Sequence, residues 1–454
     1  MLMRSWNRLR GNAVIAMSLR GQKEMAYLPR ERVEALRDRR IRAILAHAAR
    51  TVPYYREWFA REGVDPRSIA SAADLDRLPV LDRELVRSRP ALFLSESSAG
   101  RSGLSFTTSG TTGTPLVAHH DRRSLLENIA YGEREREPQI RMCGGSFRPK
   151  ELYVGYETST FKKVQAFYEQ STLMPVKPQR TFVSLLDPIE KIAAIANAER
   201  PDILVGYGGW IDLFFRTVAA RAIELRPPKM VMYMGEALPH GAREHIEGRL
   251  GIPLMSRYNA VESFKIAYYC DRRAGFHLHE DLCHVRIVRR DGSAAGPGEQ
   301  GQVVISNLVN RATVLLNYPI GDVASMLEKP CACGRTFRLM SELEGRVEDI
   351  VALADGTFVH PRAIWQVLKR AGDVLQYQLV QHEPRRFSLA LVTVDAAAFD
   401  RALASTLPEL TRLLGGDVAI EAGRRNEIDH GSGKFRAVSS LCTRAADIAT
   451  GQRR

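Results

Sequence analysis

The sequence predicts an α/β protein in two unequal units, a large N-terminal α/β unit over residues 1–345 and a small α+β unit over 346–454. Three observations carry this expectation. Strand-like runs (ILVGY at 203–207, MVMYM at 230–234, GQVVISN at 301–307) alternate with helical ones (KIAAIANAER at 191–200, IDLFFRTVAARAIEL at 211–225). Such alternation builds layers of helix on sheet. A chain of 454 residues also exceeds what a single core usually serves. Finally, the segment after GRVED (345–349) restarts with a pattern of its own. It predicts a helix near 361–371, strands near 375–381 and 387–394, a helix near 397–413 and a strand at 417–421.

Residues 1–90 are expected to be mainly helical. The first 22 residues are basic with an apolar patch at Ala13–Met17. That patch is shorter than the ~7 residues of a secretory apolar region, so a frayed or surface-docked helix is the reading. Val33, Leu36, Ile41, Ile44, Leu45 and Ala48 then recur at helical spacing, and this helix ends before Pro53. A Pro/Asp-rich stretch near Leu78–Arg83 leads to SFTTSGTTGTPLVAHH at 105–120. There SFTT and PLVAHH read as strands around a loop of glycines and hydroxyls. Glycine lets backbone N–H groups approach an oxyanion, and Ser/Thr hydroxyls add donors without charge. The run lacks the GK[ST] ending and following helix of a Walker A loop. It predicts a strand–loop–strand phosphate clamp.

The bulk numbers restrict the partners. A chain 45% hydrophobic and 26% charged, with no apolar run near the ~18 residues of a membrane helix, reads as a soluble globular protein of the cytoplasm. Six cysteines in 454 residues make no secreted disulfide framework. The net charge of +13 suits nucleic acid, an anionic membrane surface or anionic small molecules. Without zinc-finger spacing, an RNP motif or a long Lys/Arg block, polyanionic small molecules such as nucleotides are preferred over nucleic acid. Cys270, His277, Cys331 and Cys333 offer three thiolates and an imidazole, a closed tetrahedral set for structural zinc. His279 or Cys283 would substitute in that set, and reduced cysteines packed near a turn are the alternative. Cys143 and Cys442 read as apolar fillers.

Four further segments follow the loop in order: YNAVES (258–263), YPIGD (318–322), EGRVED (344–349) and GSGKFR (431–436). Taken together they resemble the adenylate-forming (acyl/aryl-CoA ligase) superfamily. RTVPYYREWF (50–59) and CACGR (331–335) narrow the resemblance to its phenylacetate–CoA ligase-like and capsular-polysaccharide-associated branch, over about residues 40 to 440. The resemblance implies a large N-terminal domain with a mobile C-terminal lid. It also implies that a carboxylic acid attacks the α-phosphate of ATP, giving an acyl-adenylate and pyrophosphate, before transfer to coenzyme A.

By that resemblance Thr108, Ser109, Gly110, Thr111, Thr112 and Gly113 grip the β- and γ-phosphates, and Glu262 helps hold Mg²⁺. Tyr258 and Asn259 lie along the adenine, with Glu236 in its wall. Asp322 accepts the ribose hydroxyls, and Arg346 donates to the same sugar. Lys434 reaches the α-phosphate and carboxylate oxygens in the transition state. The lid swings about GRVED, with Glu348 at the hinge. GYGGW (206–210) and GEALP (235–239) match regions lining the acyl pocket. Tyr207, Gly208, Gly209 and Gly235 would there admit a flat, possibly aromatic group, and Trp210 either packs against it or begins a core helix. Four positions depart from the family pattern: Leu116 for a loop lysine, Val261 for a hydroxyl residue, Asn317 for an arginine and Glu348 for a hinge aspartate. Two alternatives remain. The acyl group passes to an amine, alcohol or carrier protein, or the chain binds nucleotide without catalysis. A homodimer follows by analogy only.

Overall fold

Before its sheets the chain lays down helices, and local rules fix where these begin and end. The computed structural model describes residues 2–98, 103–107, 116–146, 148–157, 159–173, 179–238, 241–289, 291–343, 351–355, 358–359, 361–368, 370–371, 373–428 and 436–442. Helix α1 (Leu2–Leu19) docks through Gly11, where a Cβ would come within 2.1 Å of the Ser171 carbonyl oxygen. Helix α2 (Arg30–Thr51) buries Val33, Ile41, Ile44, Leu45 and Ala48 along one stripe. It stops because Val52, preceding a proline, takes the extended conformation (φ −113°, ψ 115°). Pro53 then opens α3 (Pro53–Glu62), where its missing N–H costs nothing, and Gly63 ends that helix at φ +64°. The short α4 (Arg83–Ser88) is capped by Asp82.

The hairpin β1 (Gly103–Thr107) and β2 (Val117–Asp121) pairs antiparallel, as SFTT and PLVAHH predict. Thr108, Ser109, Gly110, Thr111, Thr112 and Gly113 lie outside the described residues. Helices α5 (Arg122–Tyr131), α6 (Glu133–Met142), α7 (Thr160–Ser171), α8 (Ile189–Glu199) and α9 (Gly208–Ala220) follow. They alternate with β3 (Lys150–Gly155), β4 (Gln179–Ser184), β5 (Ile203–Gly206), β6 (Met230–Met234), β7 (Leu254–Tyr258), β8 (Ala267–Tyr269) and β9 (Phe276–Leu278). A second, three-stranded antiparallel sheet holds β10 (Cys283–Val288), β11 (Gly301–Asn307) and β12 (Tyr318–Ala324). Strands β13 (Met326–Leu327) and β14 (Leu339–Met340) complete the large sheet, in the order β13-β14-β9-β8-β7-β6-β5-β3-β4. From β4 to β7 its pairings are parallel, and from β7 to β13 antiparallel. The central parallel strands β5 and β6 read as continuous apolar runs and are buried along their length, whereas the edge strand β4 is polar and only partly buried.

Among the described residues two apolar cores dominate. The larger runs from Ile41 to Met340, and a separate one gathers Val351, Ile364, Leu379, Leu389, Leu391 and Leu410. Each fully buried aliphatic side chain contributes roughly 1.5–3 kcal/mol. The smaller core belongs to β15 (Val351–Ala352), β16 (Phe358–Val359), α10 (Pro361–Leu368), β17 (Val374–Glu383), β18 (Arg386–Thr393), α11 (Ala396–Leu413), β19 (Ala419–Arg425) and β20 (Val438–Ser440). Its sheet order is β19-β18-β17-β20. Arg346 and Glu348, and the boundary at residue 345, lie outside the described residues. Lys434 does too.

Candidate active site

The nine-stranded and three-stranded sheets come together where β7 ends, and YNAVES begins on the last residue of that strand. Tyr258 donates its phenol proton to Asp322 Oδ2 on β12 at 2.6 Å, in a buried contact between the sheets. Gly321, just before Asp322, has φ +95°, and a Cβ there would meet Arg83 Nη1 at 2.6 Å. The positive φ is what favours glycine at this position. The Asn259 amide donates to the carbonyls of Tyr258 (3.0 Å) and Phe264 (2.7 Å), which closes the turn on itself. Glu262 is 8% exposed, and three contacts fix its backbone. Asn307 donates to the Glu262 carbonyl at 2.8 Å, Ala260 and Ser263 exchange backbone bonds, and His120 lies 2.6 Å from the Val261 carbonyl. Tyr258 and Asp322 are thus joined across the sheets, and Glu262, four residues after Tyr258, lies near Tyr318 on the strand that carries Asp322.

His120 and Asn307 were not singled out by sequence reasoning. Both sit at inward positions of strands, the only sequence signal they carry. Burial pushes the His120 imidazole down to about 4, against the pull of its bond to the Val261 carbonyl. The neutral ring donates through Nε2 and stacks on Phe264 at 4.2 Å. His279, also buried, is pushed down to about 4 despite the Glu135 carboxylate beside it. An unfolded histidine protonates near ~6.5. The stability these two contribute is therefore complete above that pH and is lost as pH falls toward 4. Asp212, which burial pushes up to about 6 against Arg216, acts in the opposite sense. Denaturant midpoints between pH 7 and 4.5 are expected to fall, and to fall less steeply in His120→Gln.

Where the family pattern has a lysine and an arginine, this chain places neither. Leu116 is fully buried in the core. Asn317 sits at φ +54°, a conformation asparagine tolerates, and its amide donates to the carbonyls of Leu75 (2.7 Å) and Leu78 (3.0 Å). It ties the helical segment to β12. Positive charge arrives instead from α4. Arg83 hydrogen-bonds the Tyr318 phenol, and Arg83 and Arg87 both offset burial and the charge of Glu262 at that ring.

Beside the turn of Asn259, Ala260 and Val261 a cavity of about 710 Å³ opens over the face of the parallel strands, beneath α5 and α7. Tyr207 and Gly235 line it. Gly235 has φ +79° and a Cβ there would press on the Tyr207 ring at 3.1 Å. Gly208 and Gly209 do not line it. Gly208 starts α9 against the Ala237 carbonyl, and the Gly209 N–H donates to Glu236 at 3.2 Å. Glu236 thus holds an N–H at the start of α9. Trp210 is buried and stacks on Phe214 within the core.

The four residues with metal-ligand chemistry converge. One donor atom each from Cys270, His277, Cys331 and Cys333 lies within 4.8 Å of the others. Cys270 Sγ and Cys331 Sγ are 3.6 Å apart, and Cys333 Sγ lies 3.4 Å from His277 Nε2. A zinc ion with ~2.3 Å bonds to tetrahedral sulfurs requires sulfur separations of about 3.8 Å. The set fits. Backbone N–H groups of Arg272 and Arg335 point at Cys270 and Cys333 sulfur, as thiolates require. Burial would raise the Cys333 thiol, yet hydrogen bonds from His277 and Arg335 hold it at about 5. His279 bonds Glu135 at 3.1 Å and Cys283 is buried on β10, so neither belongs to the set.

The mixed nine-stranded sheet, the three-stranded sheet bearing Asp322 and the small α+β unit are the features to set beside known proteins. No family model matches the chain. It is 25% identical over 373 residues to a phenylacetate–coenzyme A ligase of Thermus thermophilus, covering 79% of this chain and 80% of the relative. It is 25% identical over 340 residues to that of Escherichia coli, covering 71% and 73%. A crystal structure of 2-hydroxyisobutyryl-CoA ligase, in the postadenylation state with an acyl-AMP, superposes with a TM-score of 0.72 at 16% identity, covering 92% and 94%. The chain is thus similar to phenylacetate–CoA ligases over 71–79% of its length and shares the fold of 2-hydroxyisobutyryl-CoA ligase. Among the described residues no helix is long and apolar enough to cross a membrane.

Proposed function

We propose that the protein joins a carboxylic acid to the α-phosphate of ATP and then passes the acyl group to coenzyme A. The observation that carries this is the buried Tyr258–Asp322 contact, with Glu262 in the adjoining turn and a cavity lined by Asn259, Ala260 and Val261 of that same turn. Asp322 presents a carboxylate to two ribose hydroxyls, oriented by its bond from Tyr258. Glu262, held by its own backbone contacts, offers one carboxylate to Mg²⁺, a cation that takes its other ligands from phosphate and water. That ion would neutralise phosphate charge. The glycine–hydroxyl turn of Thr108–Gly113 and the arginine Arg346 complete the nucleotide site in this reading. The acid's carboxylate enters from the cavity past Tyr207 and Gly235, in line with the leaving pyrophosphate.

Lys434 supplies the charge that appears only in the transition state, carried in by a lid that swings at Glu348. Removing one such electrostatic group costs about 10²–10³ in rate. Acid-dependent pyrophosphate release is therefore expected to fall by about that factor in Lys434→Ala, with AMP binding retained. Absence of release with every acid of a broad panel, alongside tight AMP binding, would overturn the reading in favour of a binding protein. Mass spectrometry of products with coenzyme A, an amine or an alcohol as acceptor identifies the second half-reaction. Cys270, His277, Cys331 and Cys333 would hold a structural zinc. Four protein ligands leave that ion no open position for chemistry.

A further inference from the structure

At one end of the cavity two cations share a single carboxylate. The cavity floor is the sheet, where Tyr153, Val205 and Met232 form one register row and Met234 and Arg257 the next. The middle of that floor is apolar. At the β3 side the polar groups are matched: Arg180 bonds Glu151 and lies over the Phe161 ring at 4.4 Å. At the β7 side they are not. Arg257 Nε lies 2.8 Å from Glu135 Oε2, and Lys265 Nζ lies 2.7 Å from Glu135 Oε1. One carboxylate thus answers two cations, and its Oε1 also meets the neutral His279 at 3.1 Å. Arg257 Nε and Glu135 Oε2 are close but misaligned, and neither makes a hydrogen bond among the described residues.

The next charged layer does not relieve the excess. Behind Glu135, Asp281 is itself answered by both Arg134 and Arg40. Taking a cation out of water without a matched anion is unfavourable, so a surplus at the wall of a cavity marks where an anion belongs. The Arg257 side chain keeps 22% of its surface exposed while Lys265 keeps 11%, so Arg257 is the more accessible to a ligand.

We propose that the acid activated here is bifunctional. An apolar, flat body lies across Val205, Met232 and Met234, and a second anionic group, remote from the reacting carboxylate, meets Arg257 and Lys265. This rests on the proposed acid activation and names its substrate class. A cavity of about 710 Å³ is in the range that holds ligands larger than a single substituted ring.

The test compares phenylacetic acid, 1,4-phenylenediacetic acid and the monomethyl ester of the latter in pyrophosphate release. The diacid is expected to exceed both others at least tenfold in kcat/KM, through KM. In Arg257→Gln that ratio falls toward one, and in Arg257→Lys, which keeps a cation, it is partly restored. The wild-type ratio stands as a test even where Arg257→Gln fails to fold. A wild-type ratio of one or less, with the monoacid turned over, overturns the inference and leaves acid activation standing. An equal loss on mono- and diacid in Arg257→Gln also overturns it, because Arg257 then serves the reacting carboxylate. Release from no acid at all removes the underlying reading itself.

Discussion

Stripping the protein with a strong chelator is expected to lower its melting temperature by about 10 °C or more, because structural zinc binding is folding free energy. The geometry explains the size of the effect. Cys270 follows β8, His277 lies on β9, and Cys331 and Cys333 come from the loop between β13 and β14. The metal would tie that loop to the antiparallel end of the large sheet, where β9 pairs β14 through only two residue pairs. Without a cation, three sulfurs and an imidazole crowd one another: burial pushes the Cys270 thiol up to about 12 while Cys333 is held at about 5. Metal analysis is expected to return one zinc per chain. Cys331→Ser is expected to lose it together with most of the chelator-sensitive stability. A protein without zinc, whose melting temperature ignores chelator, would show instead that the cysteines are merely packed.

How much of this was legible in the sequence depended on how local the signal is. The α2 stripe, the stop before Pro53, the hairpin strands and the order of the small unit follow from spacing and from proline and glycine, and the structure has them. The cysteine cluster was legible because few side chains carry that chemistry. What spacing could not show is support from a distant strand. His120 and Asn307 fix the Glu262 backbone across the sheets, and Arg83 reaches Tyr318 from a helix more than two hundred residues earlier. Asn317 reads as a lost arginine in the sequence, but in the fold it is a left-handed corner clamped to two carbonyls. Gly208 and Gly209 looked like pocket glycines and are helix-start glycines. The β15–β16 pair and β20, two or three residues each, are too short to announce themselves.

The least legible segment is EREREP at 133–138, where nothing in the spacing of the charges announces burial. Instead Arg134 and Glu135 are 2% and 1% exposed. Arg134 clasps Asp281 with both terminal nitrogens (2.6 and 3.0 Å), donates to Gln22 at 2.7 Å and lies over the Tyr131 and Phe337 rings. Burial alone would raise the Asp281 carboxyl, yet Arg134 and Arg40 hold it well below the usual carboxylate range. Replacing Arg134 by methionine is expected to cost about 3 kcal/mol, the low end for breaking a buried pair, because Arg40 keeps one contact with Asp281. The loss should appear as a lower urea midpoint at unchanged slope. Asp281→Asn in the same chain should recover part of it, since no buried charge is then left half-answered. The sign with pH follows: stability from Asp281 is present at neutral pH and is lost as acid protonates it. The variant is therefore expected to lose less on acidification than the parent. Equal midpoints for Arg134→Met and the parent would mean that Arg40 alone satisfies Asp281. The aspartate would then need only one partner, and the cation surplus behind Glu135 would be larger still.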